Sequence, residues 1–263
     1  MEPLHYKAVF FDIDGTLVSF STRRMQPSAA EAIREMRRRG VKVVVATGRL
    51  ASDLHVLEGL PFDGYITVNG GSCLTVDGEK VFEQGIPKED LLTALAARRR
   101  SYFPLTFMTE EGICAGERHE RIAALAQMVG LNYPRIVDLE RLAREKTVLQ
   151  ANVYVDETEQ EQVMQWFPHC EASRWHSLFV DLNPRGVNKA AGMARLLERW
   201  GIDLSETVAF GDGGNDAPML RAAGVGVAME GSCAEALAAA DRVAPAVEED
   251  GVARALRELG LTE

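Results

Sequence analysis

The sequence predicts an α/β protein: a discontinuous domain on a parallel sheet, residues 1–82 and 184–263, carrying an inserted α+β domain over 83–183. Three observations predict it. Short apolar runs alternate with helix-period segments at both ends of the chain, the rhythm of parallel strands joined by crossover helices. A hairpin signal at Asp77-Gly78 breaks that rhythm. It resumes after residue 183, so the two outer stretches complete one sheet around an insert. A chain of 263 residues is long enough for both units to bury a core.

Residues 8–13 form an apolar run that ends on Asp12, Asp14 and Gly15, as a buried strand entering a turn does. A helix follows, with Ser28 and Glu31 spaced as a capping box, Ala32, Ile33 and Met36 on one face and Gly40 at its stop. Residues 41–46 are a second strand, broken at Thr47-Gly48-Arg49, after which Leu50, Leu54 and Leu57 recur at helical spacing. A third strand over 65–68 runs into Asn69-Gly70-Gly71, and residues 72–76 and 79–82 flank the hairpin turn.

The insert reads as a helix over 88–98, strands over 105–109 and 113–115 turning at Gly112, and a helix over 120–129. A strand over 149–155, a helix over 157–167 and a strand over 178–182 complete it. The outer domain then continues with a helix over 189–200, a strand over 207–210, a helix over 217–223, a strand over 225–228 and a helix over 252–259. The runs Arg37-Arg38-Arg39 and Arg98-Arg99-Arg100 fall at predicted helix C-termini, where cations suit the helix dipole.

Lys and Arg number 29 against 39 Asp and Glu, a net charge of −10, so a phosphate backbone would repel the chain and nucleic acid is excluded as its general partner. Metal cations fit the charge better. No run approaches the roughly 18 apolar residues of a membrane span, and residues 1–6 lack the basic start of a signal peptide. A cytoplasmic protein is expected. Cys73, Cys114, Cys170 and Cys233 are scattered without a C-x-x-C pair, which argues for ordinary small hydrophobes rather than zinc ligands or disulfides.

Asp12 and Asp14 stand two apart at the carboxyl end of a strand, where ligands of open parallel sheets gather. Two carboxylates facing one cleft repel unless a cation or a proton intervenes. A calcium loop starting at Asp12 would need Gly and Glu where Leu17 and Arg23 stand. The loop Gly211-Asp212-Gly213-Gly214-Asn215-Asp216 follows another apolar strand and adds Asp212, a further carboxylate for a hard ion such as Mg²⁺. Thr47-Gly48-Arg49 offers a hydroxyl and backbone N–H groups to an anion. Lys189 opens a helix, where the dipole disfavours a cation, and so is expected to face an anion. No Walker loop occurs, and the dinucleotide fingerprint fails at Met229.

Taken in order, Phe10-Phe11-Asp12-Ile13-Asp14-Gly15-Thr16-Leu17, Ala46-Thr47-Gly48-Arg49, Asn188-Lys189 and Gly211 to Asp216 resemble the motifs of the haloacid dehalogenase (HAD) superfamily. The likeness spans the chain, including Asp63-Gly64-Tyr65-Ile66-Thr67 and the Arg174-Trp175 region. It is similar to the Cof-type branch, whose α/β cap is inserted between the second and third motifs, and most like bacterial sugar-phosphate (hexose phosphate) phosphatases. The resemblance implies a Rossmann-like core and a phosphatase. It makes Asp12 the nucleophile that forms an aspartyl-phosphate and Asp14 the acid/base. It gives Mg²⁺ the Asp12 and Asp212 carboxylates and the Asp14 backbone carbonyl, with Asp216 supporting them from behind. It sets Thr47, Gly48, Lys189 and Asn215 around the phosphoryl oxygens.

A small soluble phosphate ester is the expected substrate, since a cap closing over the leaving group leaves little room for a folded protein. A phosphomutase, and a non-catalytic binding module for a phosphorylated ligand, are the alternative readings; oligomeric state is not legible. Arg174, Trp175 and His176 are expected between cap strands, where Arg174 either meets a sugar or second phosphate or lies on the surface beside a packed Trp175. Asp181 is a candidate for binding a hydroxyl, and Trp166 and Trp200 are expected to pack.

Overall fold

The computed structural model describes residues 5–57 and 59–263. The chain forms two compact units, Met1–Phe82 with Asn188–Glu263, and Glu83–Val187. The first unit begins with β1 (Ala8–Phe11), α1 (Pro27–Arg38), β2 (Lys42–Ala46), β3 (Gly64–Thr67), β4 (Ser72–Thr75) and β5 (Lys80–Glu83). The second holds α2 (Lys88–Arg98), β6 (Leu105–Thr109), β7 (Gly112–Ala115), α3 (Glu120–Val129), β8 (Arg135–Ile136), α4 (Leu139–Glu145), β9 (Gln150–Val153), α5 (Glu157–Met164), β10 (Cys170–His176) and β11 (Phe179–Pro184). The first unit resumes with α6 (Lys189–Trp200), β12 (Thr207–Gly211), α7 (Ala217–Ala222), β13 (Val225–Met229), α8 (Ala234–Ala239), β14 (Arg242–Ala244) and α9 (Gly251–Glu258).

The first unit's sheet runs β14-β13-β12-β1-β2-β3-β4-β5, parallel from β14 to β3 and antiparallel where β4 joins. Side chains alternate across it with the period of two that a pleated strand imposes. Val9, Phe11, Val43, Val45, Val208 and Phe210 face one way, against α1 and α9, and the rings of Phe11 and Phe210 stack 5.0 Å apart. Ala8, Phe10, Val44, Ala46 and Ala209 face the other, against Met193, Leu196 and Leu197 of α6 and Met219 and Leu220 of α7. With both faces covered, β1 and β2 need apolar residues at successive positions, which is why they read as continuous apolar runs.

The insert's sheet runs β10-β11-β9-β6-β7-β8, antiparallel except at β7–β8. Its core gathers Leu105, Phe107, Ala151, Val153, Val180 and Leu182 from one face of the strands against Leu91 and Ala94 of α2, Leu139 and Ala143 of α4 and Val163 of α5. Trp166 packs here, stacked 5.2 Å from Phe103, and Trp200 packs on the α6 side of the other unit.

Several local expectations change. Pro27, which has no N–H to cap, takes the first turn of α1, and the Ser28 hydroxyl donates instead to Asp250 at the start of α9. Residues 50–57 fold as two 3₁₀ turns, Ala51–Asp53 and His55–Leu57, which bury Leu50 and Leu57 without a continuous helix. Arg174 and His176 stand within β10 rather than between strands. The guanidinium of Arg174 donates to Gln160 and to the carbonyls of Val155, His176, Ser177 and Phe179, a strut within the insert. The side chain of Trp175 lies outside the described residues. Cys73, Cys114, Cys170 and Cys233 are free thiols, the first three buried. Among the described residues no helix is long and apolar enough to cross a membrane.

Candidate active site

Three neighbouring parallel strands deliver the site. β12, β1 and β2 lie side by side with Phe210, Phe11 and Val45 in register, so their carboxyl ends release Asp212, Asp12 and Thr47 next to one another. The Asp12 N–H donates to the Phe210 carbonyl at 3.0 Å, which extends the ladder by one residue. The chain then folds back at once: the Ile13 carbonyl accepts from the N–H groups of Thr16, Leu17 and Val18. Gly15 in this turn has φ +86°, and a Cβ there would come within 2.3 Å of Asp212 Oδ2, so only glycine lets the two acidic loops meet.

Lys189 binds the acidic groups together. Its Nζ lies 2.6 Å from Asp12 Oδ1 and 2.5 Å from Asp216 Oδ1, with the side chain 0% exposed. The predicted anion partner of this helix-opening lysine is therefore a pair of carboxylates. Asp216 Oδ2 accepts from the N–H groups of Asp212 and Gly213, and the Thr16 hydroxyl donates to Asp212 Oδ1 at 3.1 Å. Burial works against the Lys189 ammonium, but Asp12 and Asp216 outweigh it and raise its pKa above the ordinary lysine value. Burial, then Asp216, push the Asp12 carboxyl well above the carboxylate range. The same two causes bring Asp212 to about 6.

Asp12, Asp212 and Asp216 each offer an oxygen, and these atoms lie within 4.8 Å of one another. Three carboxylates thus crowd near one ammonium, which pairs with two of them. The surplus negative charge and the all-oxygen donor set fit a hard divalent cation, and among the described residues no sulfur or imidazole joins the cluster.

The Asp14 carboxylate stands apart from this cluster. The strand ends at Phe11, so Asp14 sits in the turn, and Arg49 grips it through a fork, Nε to Oδ2 at 2.8 Å and Nη2 to Oδ1 at 2.6 Å. Asp14 thus has a cation partner of its own, while its charge still reaches Asp212 and adds to the causes that raise that carboxyl. Hydrogen bonding to Asp14 in turn pushes the Arg49 pKa further up. The Arg49 N–H also donates to Thr47 Oγ1 at 3.1 Å, which orients the buried Thr47 hydroxyl. Asn215 Nδ2 donates to Asn69 Oδ1 at 3.0 Å, and Gly48 borders the same Asn69 oxygen. Arg49, Thr16 and Asn69 have defined places at this site and were not singled out from the sequence.

A prediction follows from the carboxylate crowding. Asp212 has its folded pKa raised to about 6 from 3.8, so its stabilising contribution is full below the unfolded value and is lost as pH rises through about 6. Metal-free protein therefore carries the most charge strain near neutral pH. Thermal unfolding with chelator and with Mg²⁺, at pH 5 and pH 7.5, is expected to show a larger cation-induced rise in Tm at the higher pH. An equal rise at both would mean that the cation binds elsewhere.

Comparisons with known proteins identify the family. The solved structure of BT1666 from Bacteroides thetaiotaomicron, analysed among phosphatases of the haloalkanoate (HAD) enzyme superfamily, is 35% identical with a TM-score of 0.93, covering 99% of this chain and 98% of that one. The structure of BT4131, a HAD subclass IIB sugar phosphatase, is 37% identical with a TM-score of 0.87, covering 97% and 99%. The phosphoglycolate phosphatase of Methanopyrus kandleri is 31% identical over 253 residues, 95% of this chain and 96% of that protein. The family profile of haloacid dehalogenase-like hydrolases matches residues 9–256, a stretch that takes in both acidic loops, Lys189 and the whole insert. On that match the chain belongs to the haloacid dehalogenase-like hydrolases, as a phosphatase.

Proposed function

We propose that the protein is a Mg²⁺-dependent phosphatase of small phosphorylated metabolites, with sugar phosphates as its substrate class and Asp12 as its nucleophile. The observation that carries the reading is the placement of Asp12 at the end of the central strand, against a buried lysine and within one ion's reach of Asp212 and Asp216. Similarity to a sugar phosphatase over the full chain supports the substrate class.

Asp12 attacks phosphorus, the P–O bond to the leaving alcohol breaks, and Asp14, entering this step in its protonated form, gives that alkoxide its proton. Asp14 then takes a proton from water, whose oxygen attacks phosphorus, releases inorganic phosphate and restores both carboxyl groups. The Asp12 and Asp212 carboxylates and the Asp14 carbonyl would hold Mg²⁺, which would offset the charge of two anions that must approach each other. Thr47, the Gly48 N–H, Lys189 and Asn215 hold the phosphoryl oxygens, and Asp216 keeps Lys189 and the 212–213 backbone in place. Selection among esters is assigned to the inserted residues 83–183. The four free thiols suit a reducing compartment, the cytoplasm.

The Arg49 fork fixes the plane of the Asp14 carboxylate. Arg49→Lys keeps the charge but not the two parallel bonds, so kcat is expected to fall about tenfold with KM changed less than about twofold. Steady-state kinetics check this; an unchanged kcat would remove Arg49 from the mechanism.

The reading is tested by phosphate release from sugar phosphates, nucleotides, pyridoxal phosphate and phosphoserine, with Mg²⁺ and with chelator. Metal-dependent release concentrated on hexose or pentose phosphates is expected. An isomerised ester without free phosphate would assign a mutase instead, and silence across the panel would overturn the reading.

A further inference from the structure

Beyond β3 the backbone does something uncommon. Val68 has φ +50° and Asn69 φ +54°, two consecutive non-glycine residues in the left-handed region, the first of them β-branched. A β-branched side chain is disfavoured there, and such a conformation persists only where the surroundings dictate it, most often beside functional groups. The surroundings here are the proposed phosphate site. The Val68 N–H donates to the Arg49 carbonyl and the Asn69 N–H to the Thr47 carbonyl, both at 3.0 Å, so the turn is laced to the loop that carries Gly48. The next residue, Gly70, lies so close to the start of α6 that a Cβ would come within 2.2 Å of the Asn188 carbonyl oxygen, beside Lys189. The Asn69 side chain is buried and its Oδ1 accepts from Asn215 Nδ2 at 3.0 Å.

One turn therefore touches three stations that lie far apart in sequence: the Thr47-Gly48-Arg49 loop, the head of α6 and Asn215. We propose that Asn69 is a positioning residue that fixes the amide of Asn215 for phosphoryl binding, an inference that rests on the phosphatase reading above. An asparagine amide has two unlike ends, and its oxygen end repels an anion while its nitrogen end attracts one. Asn69 Oδ1 is only an acceptor, so it holds the nitrogen end of Asn215 toward itself and leaves the second amide hydrogen to serve a phosphoryl oxygen. Pinning the amide before substrate arrives removes the orientation in which it would oppose binding. The left-handed backbone at 68–69 accompanies this contact.

Asn69→Gly tests this, because glycine accepts φ +54° and removes only the side chain. It is measured beside Asn215→Ala and the double variant, with p-nitrophenyl phosphate turnover, inhibition by inorganic phosphate and thermal unfolding as readouts. Asn69→Gly is expected to weaken phosphate inhibition and lower kcat/KM about tenfold, and to add less than about twofold when Asn215 is already alanine. Losses that multiply in the double variant, or an Asn69→Gly protein whose phosphate inhibition is unchanged, would overturn the proposal. An Asn215→Ala protein with wild-type kinetics would instead remove Asn215 from the phosphate site, a failure of the site assignment, and the positioning role would fall with it.

Discussion

Asp12→Asn is expected to lower phosphate release by on the order of 10⁴-fold or more, while the protein stays folded and melts at the same temperature or higher. The activity loss follows from the nucleophile's role: an amide oxygen does not displace an alkoxide from phosphorus. The stability gain follows from charge. Burial and Asp216 push the Asp12 carboxyl well above its ordinary value, which means that its ionised form is disfavoured where it sits. Asparagine keeps the shape and an oxygen for the Lys189 hydrogen bond, and Lys189 keeps Asp216 as its ion partner. Measured together, turnover should collapse while Tm holds or rises, the signature of a site that holds strain for function. A variant with wild-type turnover would end the nucleophile assignment, and one that unfolds would show that Asp12 serves the fold instead.

Much of this site was legible because its residues announce themselves locally. Asp12, Asp212 and Asp216 follow apolar strands, and Lys189 sits where a helix dipole disfavours it; each of these is a statement about a few adjacent residues. Helices with a clear apolar face and clear ends, such as α3 and α6, match the expected residues. Elements with little to bury did not show. β8 is two exposed residues, α8 buries only Ala236, and β14 has two of its three residues exposed, so hydrophobic patterning carried no signal for them. β10 lies at the edge of its sheet with the polar sequence Cys-Glu-Ala-Ser-Arg-Trp-His, which periodicity does not separate from a loop.

The partners of Asp14 and Asn215 were hidden for another reason. Arg49 is 35 residues from Asp14, and Asn69 is 146 from Asn215, so neither pairing leaves a trace in local spacing. Asn69-Gly70-Gly71 reads in sequence as a turn, which it is; only its backbone angles and its neighbours set it apart from other turns.

Removing the buried cation should do the most damage to stability. In Lys189→Met the side chain keeps its bulk, but Asp12 and Asp216 lose their ion partner and Asp212 loses a nearby positive charge. An uncompensated buried charge of this kind costs about 3–5 kcal/mol, a large part of a domain's stability. The pKa of Lys189 is raised on folding, so its contribution is complete below the unfolded lysine value and is lost only as pH rises through the folded one; at neutral pH all of it is at stake. The carboxylates run the other way. Asp12 and Asp212 take up protons as pH falls, Asp212 near 6, and a protonated cluster needs no counter-ion. The deficit of Lys189→Met relative to the parent, measured by urea unfolding in chelator, should therefore be large at pH 8 and shrink at pH 5. Adding Asp216→Asn to Lys189→Met should recover part of it at pH 8, since one buried negative charge leaves while an amide oxygen stays to accept from the 212–213 backbone. A deficit that ignores pH and the second substitution would mean that Lys189 supports the fold by packing alone, and that the carboxylates are balanced by something other than its charge.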